Sequence, residues 1–179
     1  MPVRAYTRTA QLLHWSMAAI IIAVWIVGYI GSETPGGPDS PKRLLINIHK
    51  SVAIAVLALV VVRLVWRALH APPPLSSGSA LVRFIAGAGH WLLYLLMIAM
   101  PLTGWAWASS GGRPVEFLGL FELPRLLAPN EAAKSFLGET HRTLAWVTAV
   151  VIVGHVLAAI KHWLIDKDDV LQSMLSRRR

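Results

Sequence analysis

Several of the seven histidines in this 179-residue chain lie in or beside long apolar stretches, at spacings that could bind a metal cofactor. His141 and His155 are 14 residues apart, so in an α-helix they lie within about 40° of one face and about 21 Å apart along the axis. His162 follows seven residues later and continues that face. One helix would therefore present imidazoles at two depths.

His14 and His49 lie on two other apolar stretches and can complete two pairs. Counting about 1.5 Å per residue along antiparallel helices puts His49 and His141 near the outer surface, and His14 and His155 about 20 to 25 Å below it. His90, on a further stretch, also reaches the inner level, as a neighbour of that pair or as a replacement ligand. Paired neutral imidazoles facing across a bundle predict two six-coordinate haems, whose iron takes one nitrogen on each side.

Other cofactors fit these residues less well. Zinc would require further ligands close by, and no acidic residue lies within the apolar stretches to supply one. The chain has no cysteine, which excludes thiolate haem ligands, disulfides and iron–sulfur clusters bound by this chain. A metal or proton transporter with a histidine relay is an alternative, and absence of haem would identify it.

Three cations and one histidine accompany the proposed ligands. Arg63 follows His49 by 14 residues, so it lies near the same face at the inner level, where a haem propionate requires a cation. Lys50 and Arg142, each directly after an outer ligand candidate, could bind outer propionates or attract an anion; snorkelling to the interface is the alternative for all three. His162, about 10 Å beyond the inner pair, predicts a quinone site, with interfacial anchoring as its alternative.

The elements that must position these residues are predicted membrane helices. Hydrophobic side chains make up 55% of the chain, its mean hydropathy is +0.56, and each apolar stretch is near the roughly 20 residues that cross a bilayer. We predict an all-α fold, an integral membrane four-helix bundle with two haems in its core, forming one domain over residues 1–179. The predicted helices are about 10–31, 44–68, 83–108 and 140–165. The first is too long for the core of a secretion signal.

Charge at the helix ends predicts an orientation. With the N-terminus inside, ten of the 17 Lys and Arg residues lie on the inner side, including Arg4, Arg8 and Arg177 to Arg179. This bias predicts that both termini are cytoplasmic. The formal net charge of +8 then belongs to helix flanks on an anionic bilayer surface, and no nucleic-acid-binding motif accompanies it.

Five motifs occur in register along essentially the whole chain: HW at His14, NIHKS around His49, VVRLVWR, GHWLLYLLMIAMPLTGW, and HRTLAWVTAVVIVGHVLAAIKHW from His141 onward. In this order they resemble the bacterial cytochrome b561 family. The resemblance implies a multi-pass protein of the inner membrane with two b-type haems. Matched by position, His49 and His141 would hold the periplasmic haem, and His14 and His155 the cytoplasmic haem.

The resemblance also implies electron transfer. Some members are superoxide:ubiquinone oxidoreductases, which take an electron from periplasmic superoxide and reduce ubiquinone in the membrane, and this is the function that we expect. Other members are haem-bearing electron-transfer subunits for a partner dehydrogenase or hydrogenase, which is the alternative expectation and would add a redox partner protein.

Overall fold

Four long helices dominate the computed structural model, which describes residues 5–73 and 79–175. They are α1 (Arg8–Glu33), α2 (Lys42–Leu69), α3 (Ala80–Ser110) and α4 (Glu131–Lys161). All four are long and apolar enough to cross a membrane. The predicted all-α fold with four membrane-crossing helices is confirmed.

The start of α4 differs from the prediction. The helix begins at Glu131, nine residues before predicted residue 140. The Asn130 side chain accepts a hydrogen bond from the Ala133 amide (2.8 Å), and Glu131 lies in the first turn, where a carboxylate favours the helix dipole. These polar residues resemble a linker in composition, but they form the cap and first turn of a helix.

Short elements join and end the helices. Between α3 and α4, β1 (Glu116–Phe117) and β2 (Phe121–Glu122) pair in an antiparallel hairpin. After α4 the chain forms a π-helical turn (His162–Asp166) and then the short helix α5 (Val170–Leu175). The α5 segment folds back onto α1, where the Met174 carbonyl accepts from the Trp15 indole (3.1 Å).

Side-chain contacts fix the helices as antiparallel neighbours. The start of α1 meets the end of α2, where Arg63 lies 3.1 Å from His14, and the middle of α2 meets α3 in a core of Met17, Val56, Val60 and Tyr94. The outer part of α3 packs against α4, since Trp107 lies 5.8 Å from the His141 ring. The helices thus form two hairpins joined through α2 and α3.

The outward faces of the bundle are apolar. Leu95, Val150 and Ile165 are 62%, 70% and 72% exposed, and similar side chains follow all four helices. Such a continuous apolar surface is typical of contact with lipid tails.

The two ends of the bundle carry different segments of the chain. The inner end carries the start of α1 and the end of α4, and the outer end carries the loop between α1 and α2. The names follow the predicted orientation, part of which rests on Arg4 and Arg177 to Arg179, which lie outside the described residues.

Candidate functional site

The structure brings His49 of α2 and His141 of α4 together at the outer level. Their ring centroids are 6.2 Å apart and the ring planes are inclined by 85°. Both residues are only partly exposed. The two imidazoles come from helices that do not follow each other in the chain, so they bridge the two hairpins.

A glycine on α1 allows His49 to reach a backbone acceptor. The Nδ1 atom of His49 lies 2.9 Å from the Val24 carbonyl oxygen, so Nδ1–H donates and Nε2 keeps its lone pair. Gly28 lies one turn after Val24, and a Cβ there would come within 2.5 Å of the His49 Nδ1 atom. The missing side chain opens the path to the carbonyl.

His141, which faces His49, is held in a similar way by a residue of α3. The Thr103 hydroxyl donates to the Met100 carbonyl (3.0 Å) and lies 3.2 Å from Nδ1 of His141. Because its hydrogen is committed to that carbonyl, the hydroxyl oxygen accepts from Nδ1–H, which leaves Nε2 free. A Cβ at Gly104 would lie 3.0 Å from the His141 ring. In each ring of the outer pair, Nδ1 is therefore engaged and Nε2 is available.

The inner level gathers three histidines. His14 of α1 and His155 of α4 have ring centroids 6.1 Å apart, at 69°. His90 of α3 lies 5.5 Å from His155, and its Nδ1 donates to the Ala86 carbonyl (2.7 Å). The structure therefore brings His90 as close to His155 as it brings His14.

Arg63 lies at the inner level among these rings. One guanidinium nitrogen is 3.1 Å from Nδ1 of His14, and Nε donates to the Tyr94 hydroxyl (3.1 Å). Arg67, one turn later on α2, lies over the rings of Trp91 and Tyr94 at about 6 Å. Two cations thus approach the inner histidines from one helix.

Aromatic side chains connect α1 to α4 close to the outer pair, since Trp25 directly follows Val24, whose carbonyl contacts His49. The Trp25 indole donates to the Ala145 carbonyl (3.0 Å), and the Trp146 ring packs edge-on against Trp25 and Tyr29. These contacts join the first and the last of the four long helices.

A cationic cavity opens at the outer end. It has a volume of about 490 Å³ and lies between the α1–α2 loop, the start of α2 and the segment after α3. Four cationic side chains and one carboxylate line it: Lys42, Arg43, Lys50, Arg113 and Glu116. The excess of positive charge favours an anion inside it.

The two outer cations singled out in the sequence have different surroundings. Lys50 lines the cavity and its ammonium donates to the Pro114 carbonyl (2.6 Å). Arg142 is not among the lining residues; it is exposed and paired with Glu139 at 2.5 Å. Arg113 also lines the cavity. Its guanidinium lies over the Trp107 ring at 5.5 Å, and that ring lies 5.8 Å from the His141 ring.

His162 lies at the inner end of α4 among carboxylates. Its Nδ1 is 2.7 Å from Asp168 Oδ2 and 3.3 Å from Asp166 Oδ2. The three groups each offer a ligand atom within 4.8 Å of the others, but both oxygens of Asp166 accept from the Lys161 ammonium. These side chains therefore satisfy one another as ion pairs and hydrogen bonds.

Several residues of this site carry no signal in the sequence. Gly28 and Gly104 resemble any glycine of a membrane helix, and Thr103 resembles any helical threonine. Asp168 follows His162 by six residues, a spacing that places two residues on different faces of a regular helix. Only the contacts between elements reveal them.

Comparisons with known proteins find related sequences along nearly the whole chain. A family model described as prokaryotic cytochrome b561 matches residues 5–177. Cytochrome b561 homolog 2 of Escherichia coli (strain K12) is 36% identical over 173 residues, 96% of this chain and 92% of that protein. The probable superoxide oxidase CybB of Yersinia pestis is 31% identical over 169 residues, which cover 93% of each. Cytochrome b561 homolog 1 of Escherichia coli (strain K12) is 28% identical over 180 residues, 97% of this chain and 98% of that protein.

The close approach of Gly28 to His49 yields a prediction. In Gly28→Ala the new Cβ would overlap the imidazole, so the ring must move by roughly 1 Å to regain normal contact and loses its alignment with His141. If His49 and His141 hold a haem, the haem content of the protein should fall, as measured by haem quantitation and the reduced-minus-oxidised spectrum. Gly87→Ala is the control, because its Cβ meets nothing within 4 Å. Equal haem content in both variants would contradict the prediction.

Proposed function

Because this chain belongs to the prokaryotic cytochrome b561 family, whose members are membrane electron-transfer proteins that bind b-type haem, we propose that it binds two haems and passes electrons from superoxide to ubiquinone. The chain is accordingly a multi-pass bacterial membrane protein. The proposal adds the number of haems, their ligands, the donor and the acceptor.

The spacing of the two histidine pairs carries the proposal. If one haem iron bound both imidazoles of a pair, iron–nitrogen bonds of about 2 Å and roughly 1 Å from each nitrogen to its ring centre would place the two ring centroids about 6 Å apart. The observed separations are 6.2 Å for His49 and His141 and 6.1 Å for His14 and His155. Two imidazoles on one iron would not need parallel ring planes, so the inclinations of 85° and 69° are compatible with this arrangement.

Hydrogen bonding at the outer pair also fits haem. An imidazole that ligates through Nε2 usually donates Nδ1–H to an oxygen acceptor, which fixes its tautomer and orientation. His49 meets that condition at the Val24 carbonyl, and His141 meets it at the Thr103 hydroxyl. When bound, the haems supply one-electron redox chemistry, and the protein supplies position and charge.

The inner pair, His14 and His155, fits a haem if the contact between His14 and Arg63 rearranges. The Arg63 guanidinium has only donors, so Nδ1 of His14 accepts from it in the present arrangement and Nε2 carries the proton. Ligation through Nε2 requires that proton at Nδ1, so Arg63 must release His14. A propionate is the natural new partner for its positive charge. His90, with Nε2 already free, is the alternative inner ligand.

The outer cavity supports an anionic donor. Superoxide is a one-electron reductant of single negative charge, and the cavity presents four cations against one carboxylate. Its wall includes Lys50, the residue after His49, and Arg113, whose guanidinium lies over the Trp107 ring that is next to His141. The relative described as a probable superoxide oxidase favours the same donor.

The inner end of α4 supports quinone reduction. His162 lies seven residues beyond His155, about 10 Å further along the helix and on the same face, and its side chain is 17% exposed. Two superoxide ions, one quinone and two protons give two O₂ and one quinol. An imidazole at the membrane surface can supply those protons.

Haem quantitation with a reduced-minus-oxidised spectrum tests the central claim and its alternatives. We expect two b-type haems per chain and reduction of ubiquinone by superoxide in the isolated protein. A protein without haem would support the transporter alternative. Two haems with activity only in the presence of a copurifying dehydrogenase or hydrogenase would support the electron-transfer subunit.

Histidine substitutions test the ligands. His49→Ala and His141→Ala should each remove the outer haem and leave the inner one, because the two levels are about 21 Å apart and share no ligand. His14→Ala should remove the inner haem, whereas His90→Ala should keep both. Haem content and spectra provide the measurement. Loss of the inner haem in His90→Ala with retention in His14→Ala would assign the ligand to His90.

Charge reversal at the outer cavity tests the donor. Lys50→Glu should slow haem reduction by superoxide, by about tenfold at low ionic strength, and flatten its salt dependence. Arg142→Glu changes the same charge outside the cavity and should have a smaller effect. Stopped-flow reduction gives the rates, with reduction by a neutral quinol as the reference. Equal slowing with both donors would indicate damage to the haem instead of lost steering.

Removal of the inner imidazole tests the acceptor. His162→Ala should retain both haems and normal reduction by superoxide, yet reoxidise slowly with ubiquinone because a proton donor is missing. Reoxidation is followed in the haem absorption after a single reduction. Unchanged reoxidation would place the quinone elsewhere, for example beside the outer pair.

A further inference from the structure

We propose that Asp168 is a positioning residue that fixes the tautomer of His162, so that Nε2 is the nitrogen that exchanges protons with the quinone. This inference rests on the proposed quinone site at His162. It assigns a role to a carboxylate that lies beyond the membrane-crossing helices and that no family motif quoted above contains.

The backbone is shaped to bring Asp168 back to His162. The end of α4 widens into the π-helical turn, and Lys167 adopts a left-handed conformation with φ 52°. The His162 carbonyl then accepts from the amides of both Lys167 and Asp168. Widened turns and left-handed residues other than glycine carry an energetic cost and cluster at functional sites.

Each oxygen of the Asp168 carboxylate has its own partner. Oδ2 lies 2.7 Å from His162 Nδ1, and Oδ1 accepts from the Val170 amide at 3.1 Å, at the start of α5. The Asp168 side chain is only 10% exposed. The α5 segment is itself held on α1, where the Ser173 carbonyl accepts from Gln11 (3.0 Å). The carboxylate is therefore fixed on two sides.

Asp166 has a different partner although it is near the same nitrogen. It lies 3.3 Å from His162 Nδ1, but the Lys161 ammonium binds its two oxygens at 2.8 and 2.6 Å. Its charge is therefore largely compensated, and its side chain is 31% exposed. Asp168 has the shorter contact and the more enclosed position.

The contact between Asp168 and His162 determines which imidazole nitrogen exchanges protons with the quinone. A carboxylate accepts only, so it holds a proton on Nδ1 and leaves Nε2 as the nitrogen that gains and loses a proton. Nε2–H can then pass a proton to the reduced quinone oxygen, which leaves neutral imidazole with Nδ1–H still bonded to Asp168, and water restores the proton at Nε2. Two such transfers, with the two electrons from two superoxide ions, complete the quinol. An orienting carboxylate serves the same purpose in hydrolase triads.

Asp168→Asn tests this directly. The amide oxygen can keep the Val170 bond, which turns the amide NH₂ toward His162 Nδ1 and forces the proton to Nε2. We expect ubiquinone-linked reoxidation to fall at least tenfold, with haem content and superoxide-driven reduction unchanged. Asp166→Asn is the matched control and should reoxidise at nearly the wild-type rate.

A spectroscopic signature separates positioning from a general effect on the fold. Long-range ¹H–¹⁵N spectra of ¹⁵N-histidine-labelled, dithionite-reduced protein report the tautomer, and His162→Gln identifies the resonance. The wild type and Asp166→Asn should carry the proton on Nδ1 of neutral His162, and Asp168→Asn on Nε2. If Asp168→Asn does not fold, Asp168→Ser retains a cap for α5 without the carboxylate, and it should lose the Nδ1–H signature.

The outcomes distinguish this inference from the quinone site on which it rests. Slow reoxidation in His162→Ala with wild-type reoxidation and tautomer in Asp168→Asn would overturn the role of Asp168 and leave the quinone site intact. Equal losses in Asp166→Asn and Asp168→Asn would also overturn it, because nearby negative charge alone would then suffice. Unimpaired reoxidation in His162→Ala would overturn the quinone site.

Discussion

A neutral imidazole inside an apolar bundle has one nitrogen that must donate and one that can bind a metal, and the bundle must satisfy the first without blocking the second. In a membrane helix each backbone carbonyl already accepts a hydrogen bond within its own helix. It can accept a second one, from a histidine, only where no side chain blocks the approach. Gly28 opens the Val24 carbonyl to His49. Thr103 provides an equivalent acceptor for His141, beside Gly104. The close approach of α1 to His49 on α2, and of α3 to His141 on α4, follows from this requirement.

The two levels of histidines satisfy that requirement differently. At the outer level each Nδ1 has a fixed acceptor from a neighbouring helix, so the two rings are oriented in advance. At the inner level His14 accepts from Arg63, and two rings, His14 and His90, approach His155. The inner level thus combines a cation, a tyrosine hydroxyl and a third imidazole. Rearrangement on cofactor binding is expected there and not at the outer pair.

The two ends of the bundle carry different functional groups. The outer cavity concentrates cationic side chains, which suits encounter with a small anion from the aqueous phase. The inner end of α4 has a histidine held between carboxylates and a lysine, which suits proton exchange at the membrane surface. An electron donor at one end and a proton-coupled acceptor at the other require a relay across the apolar region between them. In the proposed function, haems at the two histidine levels would form that relay.

The sequence alone determined the features that depend on position along a helix. The four spans, the two levels of histidines and the presence of Arg63 near the inner level follow from a constant rise and turn per residue, and the structure brings the same pairs together. The tertiary structure decided which nitrogen of each ring is engaged, which cations line the outer cavity and which carboxylate meets His162. Arg142 pairs with its own neighbour Glu139, whereas Arg113 reaches Trp107 from the segment after α3. Asp168 meets His162 only because a π-helical turn and a left-handed lysine reverse the chain. Helical periodicity is local and can be counted, but these contacts depend on how separate segments pack and where the regular helix ends.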